Sequence, residues 1–142
     1  MRYAYPFTLT ADEDGRLVVA FPDVKGASTD GADETEAIAN ASDCLLAALI
    51  GYIDAREPIP RPRPARGRSA ITVPPLVAAK LALYSAMLEQ DLTNADLADR
   101  MRMREAEVRR LLDLDHRSEL GQIEAALAAL GKRLEITVRG AA

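Results

Sequence analysis

Five arginines lie within the eleven residues from Arg100 to Arg110, which read RMRMREAEVRR. A guanidinium group is permanently charged and presents a planar set of donors that match the oxygens of phosphates and carboxylates. The stretch also contains Glu105 and Glu107, so its charge is mixed. In a chain of net charge -4, such a local concentration of arginine indicates a surface for an anionic partner, either a phosphate backbone or an acidic protein surface.

The residues around this cluster predict two short helices joined by a tight turn. Thr93 and Asp96 form a variant capping box, which predicts a helix over 94–101, and a second helix is predicted over 105–112. Arg102 to Arg104 form the turn between them. The inward face is predicted from apolar residues at helical spacing: Leu97, Ala98, Met101, Val108, Leu111 and Leu112. This pattern is typical of a helix-turn-helix, whose second helix enters the major groove of DNA.

If Val108 and Leu111 face inward, three residues near the start of the second helix face outward toward base edges. Arg109 is predicted to contact guanine O6 and N7, Glu105 to accept from cytosine N4, and Ala106 to touch a thymine methyl group. The predicted phosphate contacts come from residues beside this face and from the start of the first helix: Thr93, Asn94, Arg102, Arg104 and Arg110, with Arg117 and His116 as weaker candidates. The alternative is that Glu105 and Arg109 form a solvated pair at i, i+4.

The N-terminal half has the pattern of a small sheet covered by a helix. Asp14-Gly15 is a hairpin turn signal, and Pro6 is expected at an edge or a bulge because it cannot donate to a ladder. Apolar residues spaced by three and four follow Thr35 and predict a helix. Three short strands are predicted, over residues 3–9, 17–21 and 27–31.

Charge and proline divide the chain into predicted domains. Residues 1–60 carry a net charge of -7 and residues 61–142 carry +3. Residues 58–69, PIPRPRPARGRS, predict an extended linker between a domain over 1–57 and a domain over 70–142.

The predicted C-terminal domain contains further elements besides the helix-turn-helix. A strand is predicted over 70–73 and a helix follows, with Pro75 in its first turn. A last helix over 119–130 is expected to stop at Gly131, and a half-buried strand is predicted over 133–139. The two strands are expected to pair, either within the chain or between protomers.

Two segments resemble the HicB antitoxin family. AFPDVKGASTDGADETEAIANA, beginning at Ala20, is similar to its N-terminal domain, and LADRMRMREAEVRRLLDLDHRSELGQIEAALAALGKRLEITV, beginning at Leu97, is similar to the C-terminal half of members that carry a helix-turn-helix. The resemblance covers most of the chain. It implies an α+β N-terminal domain like a truncated ribonuclease H, followed by a mainly α helix-turn-helix domain with a short strand at its end.

The resemblance also implies function and partners. Family members neutralise HicA, a small basic ribonuclease that cleaves messenger RNA, and repress their own operon, so operator DNA and a HicA-like toxin are the expected partners. Phe21, Pro22 and Asp23 are the predicted toxin contacts. Helix-turn-helix geometry implies a homodimer or a higher even oligomer. Where relatives commonly have glycine in the turn this chain has Arg102, which predicts a non-glycine turn conformation, and its recognition residues do not transfer a target sequence.

Two other functions are compatible with the sequence. One is a stand-alone transcriptional regulator that responds to a small ligand. The other is a metal-dependent nuclease, for which Asp12, Glu13 and Asp14 would supply carboxylates, although a hairpin turn leaves them solvated. We expect no enzyme activity, no cofactor and no metal. The single cysteine and the lack of a signal peptide or an apolar run of membrane-spanning length predict a cytoplasmic protein without a membrane partner.

Overall fold

A computed structural model of the chain describes residues 2–141, which divide into two units. The first unit comprises residues up to Ala78, and the second begins at Ala79. The strands are β1 (Ala4–Pro6), β2 (Thr8–Ala11), β3 (Leu17–Ala20), β4 (Ser28–Gly31) and β5 (Ala70–Thr72), and the helices are α1 (Glu34–Asp54), α2 (Pro75–Glu89), α3 (Asn94–Met101), α4 (Glu105–Leu112) and α5 (Leu120–Ala129).

The first unit is built on antiparallel strands, as predicted. β2, β3 and β4 form one sheet in that order, with Leu9 opposite Val19 and Val19 opposite Thr29. The β2–β3 turn contains Gly15 at φ +78°, a left-handed conformation that glycine adopts without steric cost. Pro6 is the last residue of β1, which pairs with β5 in a two-stranded sheet, so its predicted place on an edge strand is confirmed.

The helix α1 covers this sheet. It begins at Glu34, slightly before the predicted start, because the Asp33 side chain caps it by accepting from the Glu36 N–H at 2.8 Å. Its buried stripe packs against β3 and β4. By length and composition alone α1 could cross a membrane, yet a stripe packed on a sheet is the pattern of a core helix and does not indicate a membrane protein. The stripe consists of Ala37, Ala41, Leu45 and Leu49.

The structure differs from the sequence predictions at β5 and at the proline-rich segment. The strand β5 pairs with β1, with Ala4 opposite Thr72, and belongs to the first unit. The predicted partner, residues 133–139, forms neither helix nor strand within this chain, so the intrachain pairing is wrong. Residues 58–69 are irregular and also lie in the first unit, where Ile59 is buried and the Pro60 carbonyl accepts a 2.8 Å hydrogen bond from the Tyr5 hydroxyl.

The second unit packs its helices around a shared apolar core. α3 contacts both α4 and α5. Gly131 adopts φ +75° directly after α5, which confirms the predicted helix stop. Beyond it, Ile136 and Val138 are 64% and 91% exposed. The core residues are Leu81, Leu83, Met87, Leu97, Val108, Leu111, Ile123 and Leu127.

Candidate nucleic-acid interface

The start of α3 is fixed by a reciprocal capping box. The Thr93 hydroxyl accepts from the Asp96 N–H at 3.1 Å, and the Asp96 carboxylate accepts from the Thr93 N–H at 2.9 Å. The backbone N–H and the hydroxyl of Thr93 hold the pKa of Asp96 below its usual value. The cap predicted from sequence is confirmed.

The turn between α3 and α4 has a left-handed backbone conformation of the kind that glycine favours. Arg102 lies at φ 53° and ψ 46°, and the Met103 N–H donates to the Ala98 carbonyl at 3.0 Å while the Arg102 N–H donates to Asp99 at 3.3 Å. These two bonds make a Schellman motif with a left-handed arginine at the position that favours glycine. The predicted non-glycine conformation is therefore wrong, because the paired carbonyls enforce the left-handed turn despite the side chain.

Apolar contacts hold α4 against α3 and α5. Val108 is fully buried, and Leu111 and Leu112 are buried beside it. Ala98 is buried on α3, where its small side chain allows the two helices to approach closely. The bounds of α3 and α4 match the predicted ones, so the predicted helix pair is confirmed as a structural unit.

The opposite face of α4 presents charged side chains to solvent. The Arg109 side chain is 61% exposed and lies 3.4 Å from Glu105, while Arg104 lies 3.3 Å from Glu107. The predicted Glu105–Arg109 pair is thus present. Exposed pairs of this kind contribute about 0–1 kcal/mol, so a phosphate or a base edge can replace either carboxylate at small cost.

The other residues predicted to contact DNA differ in their exposure to solvent. Asn94 and Ala106 are half-buried. A groove of about 420 Å³ lies beside α4, and its lining includes Met103, Glu107, Arg110, Leu111 and Gln122. The exposed candidates are Thr93, Arg102, Arg104, Glu105, Arg109, Arg110 and Arg117.

A buried lysine under α4 was missed by the sequence reading. Lys80 on α2 is 0% exposed, and burial lowers the pKa of its ammonium group while Asp113 partly opposes the shift. Its Nζ lies 2.6–2.9 Å from four oxygens at the end of α4 and in the turn that follows. The available signal was a single charge inside the apolar run LVAAKLAL, which a reading for exposed arginines passes over.

The predicted toxin contacts in the first unit differ in accessibility. Phe21 is 3% exposed and packs edge to face on Phe7, with ring centroids 6.2 Å apart. Pro22 is exposed. The Asp23 side chain is 6% exposed and accepts from the backbone N–H of Arg63 at 3.0 Å and from its Nε at 2.6 Å. Asp23 therefore binds the proline-rich segment, and of the three residues only Pro22 is exposed to solvent.

Of the three carboxylates of the nuclease alternative, that of Asp12 stabilises the hairpin turn. Asp12 accepts from the backbone N–H groups of Asp14 and Arg16, both at 2.9 Å, which shapes the turn. Within residues 2–141, no group of three or more His, Cys, Asp or Glu side chains could hold a metal ion.

Comparison with known proteins decides the family. The model of the HicB-like antitoxin of bacterial toxin-antitoxin systems matches residues 4–82. The chain belongs to the HicB antitoxin family. It is 36% identical over 134 residues to antitoxin HicB 1 of Photorhabdus laumondii, covering 94% of this chain and 86% of the relative. It is 36% identical over 135 residues to antitoxin HicB of Escherichia coli K12, covering 94% and 98%, and 31% identical to that of Pseudomonas fluorescens, covering 92% and 90%.

Membership of the HicB family indicates an antitoxin role for this protein. The relatives are named antitoxins, and the family match places this protein among antitoxins and not among enzymes. The antitoxin role implies a toxin partner. The family model ends at residue 82, so it does not include α3 and α4, whereas the relatives align over more than nine-tenths of the chain.

Proposed function

We propose that this HicB-family protein binds and neutralises a HicA-like basic ribonuclease and represses its own operon in the cytoplasm. The first unit, with the predicted ribonuclease H-like sheet, carries toxin binding, and the helix-turn-helix of α3 and α4 carries operator binding. The observation that supports the second role most directly is the pair of short helices with buried apolar faces and an exposed arginine face.

Charge supports the division of labour between the two halves. Residues 1–60 carry -7, which favours capture of a basic toxin by electrostatic steering. Pro22 is the accessible member of the predicted contact set. On either side of it, Phe21 is buried and Asp23 is bonded to Arg63, and both hold Pro22 in place.

A homodimer fits operator binding. Two recognition helices about 34 Å apart would read two half-sites of one operator. Ile136 and Val138 alternate with polar residues in a segment that pairs with no strand among residues 2–141, and the same segment of a second copy would cover them.

Two α4 variants test operator binding. Arg109→Ala should weaken the operator complex by roughly 1–3 kcal/mol and relax specificity at one base pair. Arg104→Ala should weaken binding to every sequence and reduce the slope of log K against log salt by about one. Affinities would be measured by fluorescence anisotropy on the duplex upstream of the operon and on single-base variants of it. Equal losses on all duplexes for both variants would contradict base reading by Arg109.

Toxin neutralisation is tested separately with the same variants. Both should protect cells from the neighbouring toxin as well as the wild type does, because Arg104 and Arg109 lie outside the first unit. Loss of protection in folded Arg109→Ala protein would contradict the assignment of the two roles to different units.

A further inference from the structure

The ammonium group of Lys80 is enclosed by backbone oxygens. Its Nζ lies 2.9 Å from the Arg110 carbonyl, 2.6 Å from the Asp113 carbonyl and 2.8 Å from the His116 carbonyl. The Ser118 hydroxyl lies at 2.9 Å. Three carbonyls require three N–H donors, which an ammonium group has and a neutral amine lacks. The site is therefore built for a charged lysine.

The bonded carbonyls lie where α4 ends and the chain turns back toward α5. The helices α1, α2, α3 and α5 end in left-handed residues whose backbone N–H groups bond the last carbonyls. α4 instead ends at Asp113 in an extended conformation. The Asp113 N–H donates to the Arg110 carbonyl at 3.3 Å. The last carbonyls of a helix carry the negative pole of its dipole, so a buried cation from α2 stabilises this end.

The Ser118 hydroxyl and the three carbonyls form a cage of four oxygens around the Lys80 Nζ. It lies 3.2 Å from the Arg110 carbonyl, to which it can donate, and 3.1 Å from Nδ1 of His116. Lys80 thus ties the last turn of α4 and the turn over 113–118 to a single point on α2.

We propose that Lys80 is a positioning residue that sets the placement of α4 and of the turn after it for operator reading. This inference rests on the proposed DNA-binding function. Lys80 is fully buried and contacts no nucleic acid itself, while Arg109 and Arg110 form the last turn of the helix that it anchors and Arg117 lies in the turn. The same three carbonyls also accept backbone N–H groups, those of Asp113, His116 and Ser118, but these bonds are local to the end of α4 and the turn. Loss of the ammonium group removes the bonds that join the carbonyls to α2, so the end of α4 shifts.

The test is the ratio of operator affinity to affinity for an unrelated duplex in full-length protein. Lys80→Met keeps the length and apolar character of the side chain and removes its charge. We expect the ratio to fall about tenfold, the effect of losing one good base contact. The salt slope should stay unchanged, because Lys80 neutralises no phosphate. Lys25→Met, an exposed lysine of the first unit, is the control and should leave the ratio unchanged.

Each outcome separates a positioning role from a general effect on stability. A folded Lys80→Met protein that keeps the wild-type ratio, or that loses affinity for both duplexes equally, would overturn the proposal. If Lys80→Met does not fold, Ser118→Ala carries the test, because it removes one oxygen from the cage. A ratio reduced about threefold supports the proposal and an unchanged ratio overturns it.

Failure of the proposed function has a different signature. If wild-type protein binds neither duplex, operator binding itself fails, and the positioning role falls with it. The cage is then read by NMR, because an enclosed ammonium gives a slowly exchanging ¹⁵N–H signal. That signal should be present in Ser118→Ala and absent only from Lys80→Met.

Discussion

Replacing Arg102 with glycine should make the protein more stable and its operator binding weaker. Arg102 adopts a left-handed conformation at φ 53°, in the Schellman turn that ends α3. An L side chain in this conformation costs about 1–2 kcal/mol, and glycine loses about 0.5–1 kcal/mol more backbone freedom on folding. The difference predicts that Arg102→Gly stabilises the folded protein by about 0.5–1 kcal/mol, which raises Tm by roughly 2–4 °C.

The same substitution removes a guanidinium from the proposed phosphate-binding surface. Operator affinity should fall, and the slope of log K against log salt should become shallower by about 0.9. Differential scanning calorimetry measures the first effect, and anisotropy titrations between 50 and 200 mM salt, roughly the range over which counterion release dominates, measure the second.

Two control variants separate conformation from charge. Asp91 adopts φ 54° in the equivalent turn after α2, so Asp91→Gly should give a similar gain in Tm without loss of operator affinity. Arg102→Ala should lose affinity as Arg102→Gly does, without the gain in Tm, because alanine still pays the left-handed cost. An unchanged or lower Tm for Arg102→Gly would refute the conformational reasoning, and an unchanged salt slope would refute the phosphate contact.

Three further predictions concern the first unit. Gly31→Ala should destabilise the first unit by about 1–3 kcal/mol in urea unfolding, because a β-carbon there overlaps the backbone of Ala37. Gly51→Ala, on an open helix face, is the control and should stabilise the unit by about 0.5–1 kcal/mol. Equal effects of the two substitutions would contradict the close approach of Gly31 to Ala37. Asp23→Asn should cost about 1–3 kcal/mol at pH 7 by weakening the bonds from Arg63. The pKa of Asp23 is lower in the folded protein than in the unfolded chain. The stabilisation by Asp23 is therefore fully present above the unfolded pKa near 4 and is lost as pH falls through the folded pKa. A destabilisation by Asp23→Asn that does not change with pH would contradict this role of the carboxylate. The rate of toxin association in stopped-flow should fall as salt rises, and an insensitive rate would exclude electrostatic steering.

The elements of the proposed interface follow from local sequence signals. Thr93 and the apolar spacing determine the bounds of α3 and α4, because capping and burial act within one or two turns of the chain. The DNA contacts assigned to this face stay predictions.

Helix ends were only partly predictable. Gly131 signals the stop after α5, but the same left-handed turn is made by Arg56, Asp91 and Arg102, residues that carry no such signal. In these three turns the hydrogen bonds to the last carbonyls outweigh the side-chain preference.

Long-range pairings were not predictable from local pattern. The strand β5 pairs with β1 across most of the first unit, and Asp23 bonds Arg63 forty residues away. A proline-rich segment without an apolar run is typical of a linker, and only the tertiary contacts of Ile59 and Arg63 reveal that it packs. Lys80 was hidden for the same reason, since its four oxygen partners lie 30 to 38 residues along the chain.

Co-purification with the product of the neighbouring reading frame tests the central claim most directly. The full chain would carry an affinity tag and be expressed together with the adjacent small basic protein, and the complex would be passed over a sizing column at physiological salt. The proposed function predicts that the basic chain stays bound and that its cleavage of messenger RNA is suppressed in the complex. Elution of the antitoxin alone, with full ribonuclease activity in the separate fraction, would contradict it.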